Sequence, residues 1–128
     1  MKLVFLDRST LGPDTRLRSP KFAHQMQLHD ATDPNDVADR VADADIVITN
    51  KVRLSASVIE RAARLRMVAV AATGTDIVDV DACHARGIVV SNIRDYASHT
   101  VPEHTFALIF ALRRSITAYR DAVARGRW

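Results

Sequence analysis

Three segments that follow apolar runs hold the groups best suited to chemistry. They are Asp7 after Lys2–Leu6, Asn50-Lys51 after Asp45–Thr49, and Thr73-Gly74-Thr75-Asp76 after Met67–Ala72. Gly74 in a strand-to-helix turn lets successive backbone N–H groups face a carboxylate or phosphate. Lys51 adds positive charge on a flexible stem. Together they suit a cradle for a small anion. By residue type alone, an ordinary turn glycine and a solvated lysine fit the same positions, and at this level that plainer reading is the stronger. His99 and His104 are five residues apart, on different faces of one helix, and make a poor metal pair. His104 beside Glu103 invites an acid–base reading, but Glu103 is expected to serve a helix cap. His24, His29 and His84 carry no such pattern, Cys83 reads as a small core residue, and no metal site is expected.

The elements that must position these groups alternate in type. Lys2–Leu6 reads as a buried strand, residues 8–20 as a turn-rich connection with one helical turn, and His24–Leu28 as an edge strand with polar residues interleaved. Asp33-Pro34-Asn35-Asp36 reads as an N-cap, a proline at the first helical position and an acid in the first turn of a helix reaching about Ala42. Asp45–Thr49 is the next strand, and Ser55 caps a helix that turns Val58, Ile59 and Ala62 toward a core. Met67–Ala72, small and apolar throughout, suits a central strand covered on both faces. A short helix over about 79–86 stops at Gly87, and Ile88–Val90 is a fifth strand. Strands and helices alternating at this spacing imply βαβ units, a parallel sheet and an α/β fold. If the sheet is doubly wound, its ligand site lies beyond the carboxyl ends of the strands, near the switch point, and all three segments line one rim.

The last third differs. Thr100-Val-Pro-Glu103 has the spacing of a capping box, opening a helix that runs to about Ala124. Residues 101, 105, 108, 112, 116, 119 and 123 form one mostly apolar stripe, yet Phe106, Ile109 and Phe110 lie off it. A helix apolar nearly all round is buried on more than one side. One small sheet covers one side, so a second domain or subunit is expected on the other.

Composition removes other classes. Residues 1–93 hold twelve Lys/Arg and twelve Asp/Glu, so the net +3 of the 128 residues arises from Arg94 onward, spread along a helix rather than in a tract. Without a basic stripe, and with aromatics at 5%, nucleic-acid binding is not expected. The longest apolar run, Phe106–Leu112, is seven residues, against the roughly 20 that a membrane span needs. No secretory leader is read, because the first apolar run stops at Leu6. A lone cysteine excludes an internal disulfide framework. A soluble, cytoplasmic domain is the expectation. There is no Gly-x-Gly-x-x-Gly, Walker loop or nucleophile elbow. A phospho-receiver domain would need an acceptor aspartate where Asn50 stands.

The ordered set of segments resembles the D-isomer-specific 2-hydroxyacid dehydrogenases. The run Val68-Ala-Val-Ala-Ala-Thr-Gly-Thr-Asp-Ile-Val-Asp79 carries the resemblance, with Asp81-Ala82, Ala85-Arg-Gly-Ile88, Val90-Ser-Asn-Ile-Arg-Asp-Tyr96, Thr100–Leu108 and Gly126-Arg-Trp128. Thr49-Asn-Lys-Val52 and the 71–76 loop are most similar to the glycerate dehydrogenase (hydroxypyruvate reductase) branch. The resemblance runs in register from about residue 45 onward. It implies a flavodoxin-like, doubly wound substrate-binding domain over 1–98 with about five strands. A long helix within 99–128 would then serve as an interdomain and dimerisation element, leading into a Rossmann domain that this chain does not contain.

The resemblance further implies that amides around Thr73, Gly74 and Thr75 hold a substrate carboxylate, with Lys51 as a basic substrate contact. Thr100 would lie near the nicotinamide side of NAD or NADP. The reaction implied is reduction of a small 2-oxo acid, such as hydroxypyruvate or glyoxylate, to the D-2-hydroxy acid. The family's Gly-rich dinucleotide loop and its catalytic Arg, Glu and His lie beyond Trp128, so no catalytic residue is assigned. The 128 residues alone are expected to be inactive in hydride transfer. A free-standing small-carboxylate-binding module that dimerises through the 100–124 helix is the alternative.

Overall fold

A computed structural model describes residues 1–127. It divides into two units, Met1–Arg94 and the segment from Asp95 onward. The first unit holds a five-stranded parallel sheet: β1 (Lys2–Phe5), β2 (Gln25–Leu28), β3 (Ile46–Thr49), β4 (Met67–Val70) and β5 (Val89–Ser91), in the order β2-β1-β3-β4-β5. That is the flavodoxin-like order, with the switch point between β1 and β3. Register aligns Leu3, Ile46, Met67 and Val89 across four strands. As expected, β2 is an edge strand, and one 3-10 turn (Arg8–Thr10) lies in the long first connection.

The three helices of this unit are α1 (Val37–Val41), α2 (Ala56–Arg61) and α3 (Val80–Ala85). They share one core with alternate strand residues: Val37, Val41, Ile59, Ala62 and Cys83 pack with Val4, Val47, Val68 and Val70. Every crossover from β2 onward moves in the same direction along the sheet. The right-handed rule therefore puts α1, α2 and α3 on the same face. The oppositely directed β1-to-β2 connection carries no α-helix. This corrects the expectation for β4: Val68 and Val70 are buried, whereas Met67 and Ala69 on its other face are only partly covered. Along that second face exposure rises from Leu3, 2%, to Val89, 58%.

Local signals hold in part. The Asp79 carboxylate caps α3, accepting from the Ala82 N–H at 2.9 Å, and Gly87 closes the helix at φ +66°. Arg86 donates to the carbonyls of Ile59 and Ala62, tying α3 to the end of α2. Asp33 caps only a single turn, through the Asn35 N–H at 2.9 Å, and α1 starts later, at Val37. Ser55 precedes α2, but its hydroxyl pairs with Ser57 rather than with an amide.

The second unit holds α4 (Thr100–Arg113) and α5 (Ile116–Ala124). The single helix expected to Ala124 is broken at Ser115, whose φ is +50°. Arg113 and Arg114 suit the carbonyl end of α4, where cations are favoured, and serine is a weak helix former. The capping box is absent as well. Turns begin before the helix, so Val101 N–H bonds to Ala97 O and Glu103 N–H to His99 O. The amide that Thr100 would have capped is already taken, and His99 occupies the cap position without a side-chain bond. Phe106 and Phe110 stack at 6.2 Å and both are more than half exposed. Among the described residues no helix is long and apolar enough to cross a membrane.

At the edge opposite the strand ends, Asp45 is 7% exposed, accepts from the Lys2 N–H at 2.6 Å, and takes both oxygens to Arg64 at 3.1 Å. The Lys2 amide, then Arg64, holds its carboxyl below the usual carboxylate range. A depressed carboxyl contributes stability above its unfolded pKa, and that contribution is lost as pH falls through the folded value. Urea denaturation should therefore show wild type more stable than Asp45→Asn at neutral pH, with the gap closing below about pH 4. A gap independent of pH would contradict this.

Candidate functional site

At the carboxyl edge of the sheet two loops run side by side, fastened at both ends. The Ala71 N–H donates to Thr49 O at 2.8 Å where the strands stop pairing. Beyond the loops, Leu54 and Val78 form a parallel bridge: Leu54 N–H donates to Ile77 O at 2.8 Å, and Asp79 N–H to Leu54 O at 2.9 Å. Leu54, 1% exposed, fixes that bridge to the core. Residues 50–53 and 72–76 are therefore held as neighbours. The 72–73 turn is also tied to the end of β5, by Ile93 N–H to Ala72 O at 3.0 Å and Asn92 Nδ2 to Thr73 O at 2.7 Å.

The two loops treat their amides differently. In the first, the carboxylate of Asp7 accepts from the N–H groups of Asn50 at 2.9 and 3.0 Å, Lys51 at 2.5 Å and Val52 at 3.2 Å. Three consecutive amides converging on an anion form a nest, and here the anion is part of the chain. In the second, no carbonyl or side chain of the described residues accepts from the N–H groups of Thr73, Gly74, Thr75 or Asp76. The residues that carry these donors are exposed or half-exposed.

Gly74 is not in the left-handed region, so its turn does not require glycine for conformation. What a side chain would disturb is space: a Cβ at Gly74 would meet Asp76 Oδ1 at 2.8 Å. Asp76 is exposed and can swing away. Its charge beside the open amides opposes an anion there, and the cation of Lys51 on the neighbouring loop offsets it.

A cavity of about 560 Å³ opens over the switch point, lined among others by Asp7, Ser9, Thr10, Lys51, Arg53 and Ser55. Lys51 thus lies at its wall. Thr73, Gly74 and Thr75 do not line it, but they are held beside Lys51 through the paired loops. Thr100 opens α4 in the second unit, its side chain making no capping bond. Sequence reading placed Asp7 on the rim but missed its tie to the 50–52 amides, which depends on contacts 43 to 45 residues apart. Arg53 was also missed; its only signal was its position two residues after Lys51.

Other candidate groups are structural. Cys83 is fully buried, and burial followed by the charge of Asp79 pushes its thiol up, so it stays protonated. His29 is pushed down by burial and then by Arg40, with its Nε2 buried and unpartnered. Among the described residues no group of three or more His, Cys, Asp or Glu is placed to hold a metal ion.

Residues 6–125 match the family described as D-isomer specific 2-hydroxyacid dehydrogenase, catalytic domain. The chain belongs to this family. It is 45% identical over 128 residues to a glycerate dehydrogenase of Methylorubrum extorquens, an alignment covering 99% of this chain and 40% of that protein. It is 33% identical over 132 residues to a hydroxypyruvate reductase of Blautia hydrogenotrophica, covering all of this chain and 41% of the relative. Among solved structures, it superimposes on an NAD-dependent formate dehydrogenase from Staphylococcus aureus in complex with NAD with a TM-score of 0.72. That match is at 19% identity and covers all of this chain and 42% of the other, a likeness of fold. The chain therefore spans about two fifths of the length of these dehydrogenases.

The two glycines of this unit with opposite geometries separate space from conformation. Gly74→Ala should change unfolding free energy by less than about 0.5 kcal/mol, because the side chain it meets is exposed and has room to turn aside. Gly87→Ala, forced to φ +66°, should cost about 1 kcal/mol or more. Equal losses in chemical denaturation would show that Gly74 has a conformational role after all.

Proposed function

We propose that this chain is the N-terminal, substrate-binding part of an NAD(P)-dependent, cytoplasmic oxidoreductase that reduces a small 2-oxo acid, of hydroxypyruvate or glyoxylate type, to the D-2-hydroxy acid. The observation that carries it is the contrast between the two loops. The amides of residues 50–52 are consumed by Asp7, whereas those of Thr73, Gly74 and Thr75 are free beside Lys51. A substrate carboxylate taken by the open amides has Lys51 within the adjoining loop to balance its charge. Donors set in place before the substrate arrives position the oxo carbon without reorganisation. The glycerate dehydrogenase and hydroxypyruvate reductase relatives support the substrate class.

On this reading the described residues do not themselves form a dinucleotide site. The glycines, at 12, 74, 87 and 126, are isolated, and no strand–helix turn of this sheet carries the Gly-rich loop that wraps a pyrophosphate. Thr100, with its hydroxyl free of any cap, is the residue we assign to the nicotinamide side. No catalytic residue is assigned within the 128 residues, and on this reading residues 1–98 act as the substrate-binding domain and 99–128 as the link to the cofactor-binding part. The family's oligomeric form is proposed to be a homodimer through the 100–124 segment, because α4 leaves Phe106, Ile109, Phe110 and Leu112 about half exposed or more.

In the complete dehydrogenase, Lys51→Ala should raise KM for hydroxypyruvate roughly tenfold, the size of one charge-assisted contact, with kcat changed less. NADH oxidation kinetics measure both, and an unchanged KM takes Lys51 out of the substrate site. The 128-residue chain alone should not oxidise NADH with either acid. Separately, Phe106→Glu should convert a dimer into monomers in sedimentation velocity; a wild-type monomer at high concentration removes the dimer proposal.

A further inference from the structure

Asp7 is 3% exposed and has no Lys, Arg or His within ion-pair distance among the described residues. Its charge is met by backbone dipoles: three successive N–H groups of the loop that bears Lys51, the shortest at 2.5 Å from the amide of Lys51 itself. Its own backbone is pinned too. The Asp7 carbonyl accepts from both the N–H of Thr10, at 3.0 Å, and the Thr10 hydroxyl, at 2.7 Å. On the strand side, Leu6 N–H to Ile48 O at 3.0 Å extends the pairing of β1 with β3 up to the residue before it. The carboxylate thus sits at a point fixed by β1 and dictates where the amides of residues 50–52 must be. Thr49 closes the same turn from inside, its hydroxyl lying 3.1 Å from both the N–H and the carbonyl of Val52.

A carboxylate is suited to this place because it offers acceptors only. An amide of the same shape could set its oxygen where Oδ2 lies, within reach of all three N–H groups, but it would turn its NH₂ toward the Asn50 N–H in place of Oδ1 and would lose the charge that strengthens these bonds. Lys51 itself is exposed, with no ion-pair partner among the described residues, and projects from the turn that Asp7 organises. We infer that Asp7 is a positioning residue: by filling the nest at Asn50, Lys51 and Val52, its carboxylate sets the direction in which Lys51 meets the 2-oxo acid, and leaves the 73–75 amides as the ones of the pair without an acceptor among the described residues. The inference rests on the assignment of Lys51 to the substrate site made above.

The test joins a local readout with a kinetic cycle in the complete enzyme. By NMR-detected hydrogen exchange, the wild-type amides of Asn50, Lys51 and Val52 should exchange far more slowly than those of Gly74 and Thr75, although both loops lie at the surface. Equal exchange overturns the inference without any variant being needed, so it stays testable even where a substitution at this buried site prevents folding. In kinetics with hydroxypyruvate and NADH, Asp7→Asn should raise KM roughly tenfold with kcat changed less, as loss of a charge-assisted hydrogen bond would. Added to Lys51→Ala, it should raise KM by no more than about twofold further, because the two act as one unit. If Lys51→Ala raises KM and Asp7→Asn multiplies that effect in full, Asp7 supports something other than Lys51 and the inference fails alone. If Lys51→Ala leaves KM unchanged, the assignment of Lys51 fails and the role of Asp7 in the reaction falls with it.

Discussion

Backbone hydrogen bonding at the carboxyl edge of a parallel sheet governs this chain. Where strands stop pairing, each loop must find new partners for its N–H groups or leave them to water or a ligand. The loop after β3 finds an internal anion, Asp7. The loop after β4 finds none for residues 73–76 among the described residues. Both loops are fastened to each other before and after these turns, so the filled nest and the unpaired amides are held as neighbours. The chemistry available at the rim, open donors next to a lysine, is what this unequal pairing leaves.

The same parallel topology decides which surfaces are finished. Crossovers in one direction place α1, α2 and α3 on one face and build a dry core from Val4, Val47, Val68, Ile59 and Cys83. The other face of the sheet is partly uncovered, from buried Leu3 to exposed Val89. In the second unit α4 buries none of its residues. Apolar area of this kind is costly in water, and it accords with a chain that spans about two fifths of its relatives.

Much of this was legible in the residues. Alternating apolar runs marked the five strands, Gly87 marked a helix end, and the polar interleaving of Gln25–Leu28 marked an edge strand. The candidate loops were legible because they follow strands. Less legible were local caps. Thr100 and Glu103 have the spacing of a capping box, but earlier turns had already paired the amide concerned. The apolar stripe continued past Arg113, yet the backbone reverses its winding at Ser115. At Glu103 a side-chain pattern competed with a backbone bond to His99 and the backbone bond prevailed; at Ser115 the arginines at the end of α4 and a weak helix former outweighed the apolar stripe.

What the sequence by itself determined was the α/β class, the strand-ending position of Asp7, Lys51 and Thr73–Thr75, and the family likeness, because these depend on periodicity and on short runs of residue types. Tertiary structure alone decided that Asp7 closes one nest, that Gly74 matters for space rather than conformation, and that the helices gather on one face. Each of these depends on contacts between segments far apart in the chain, or on the backbone angles those contacts impose. Residue spacing does not encode them.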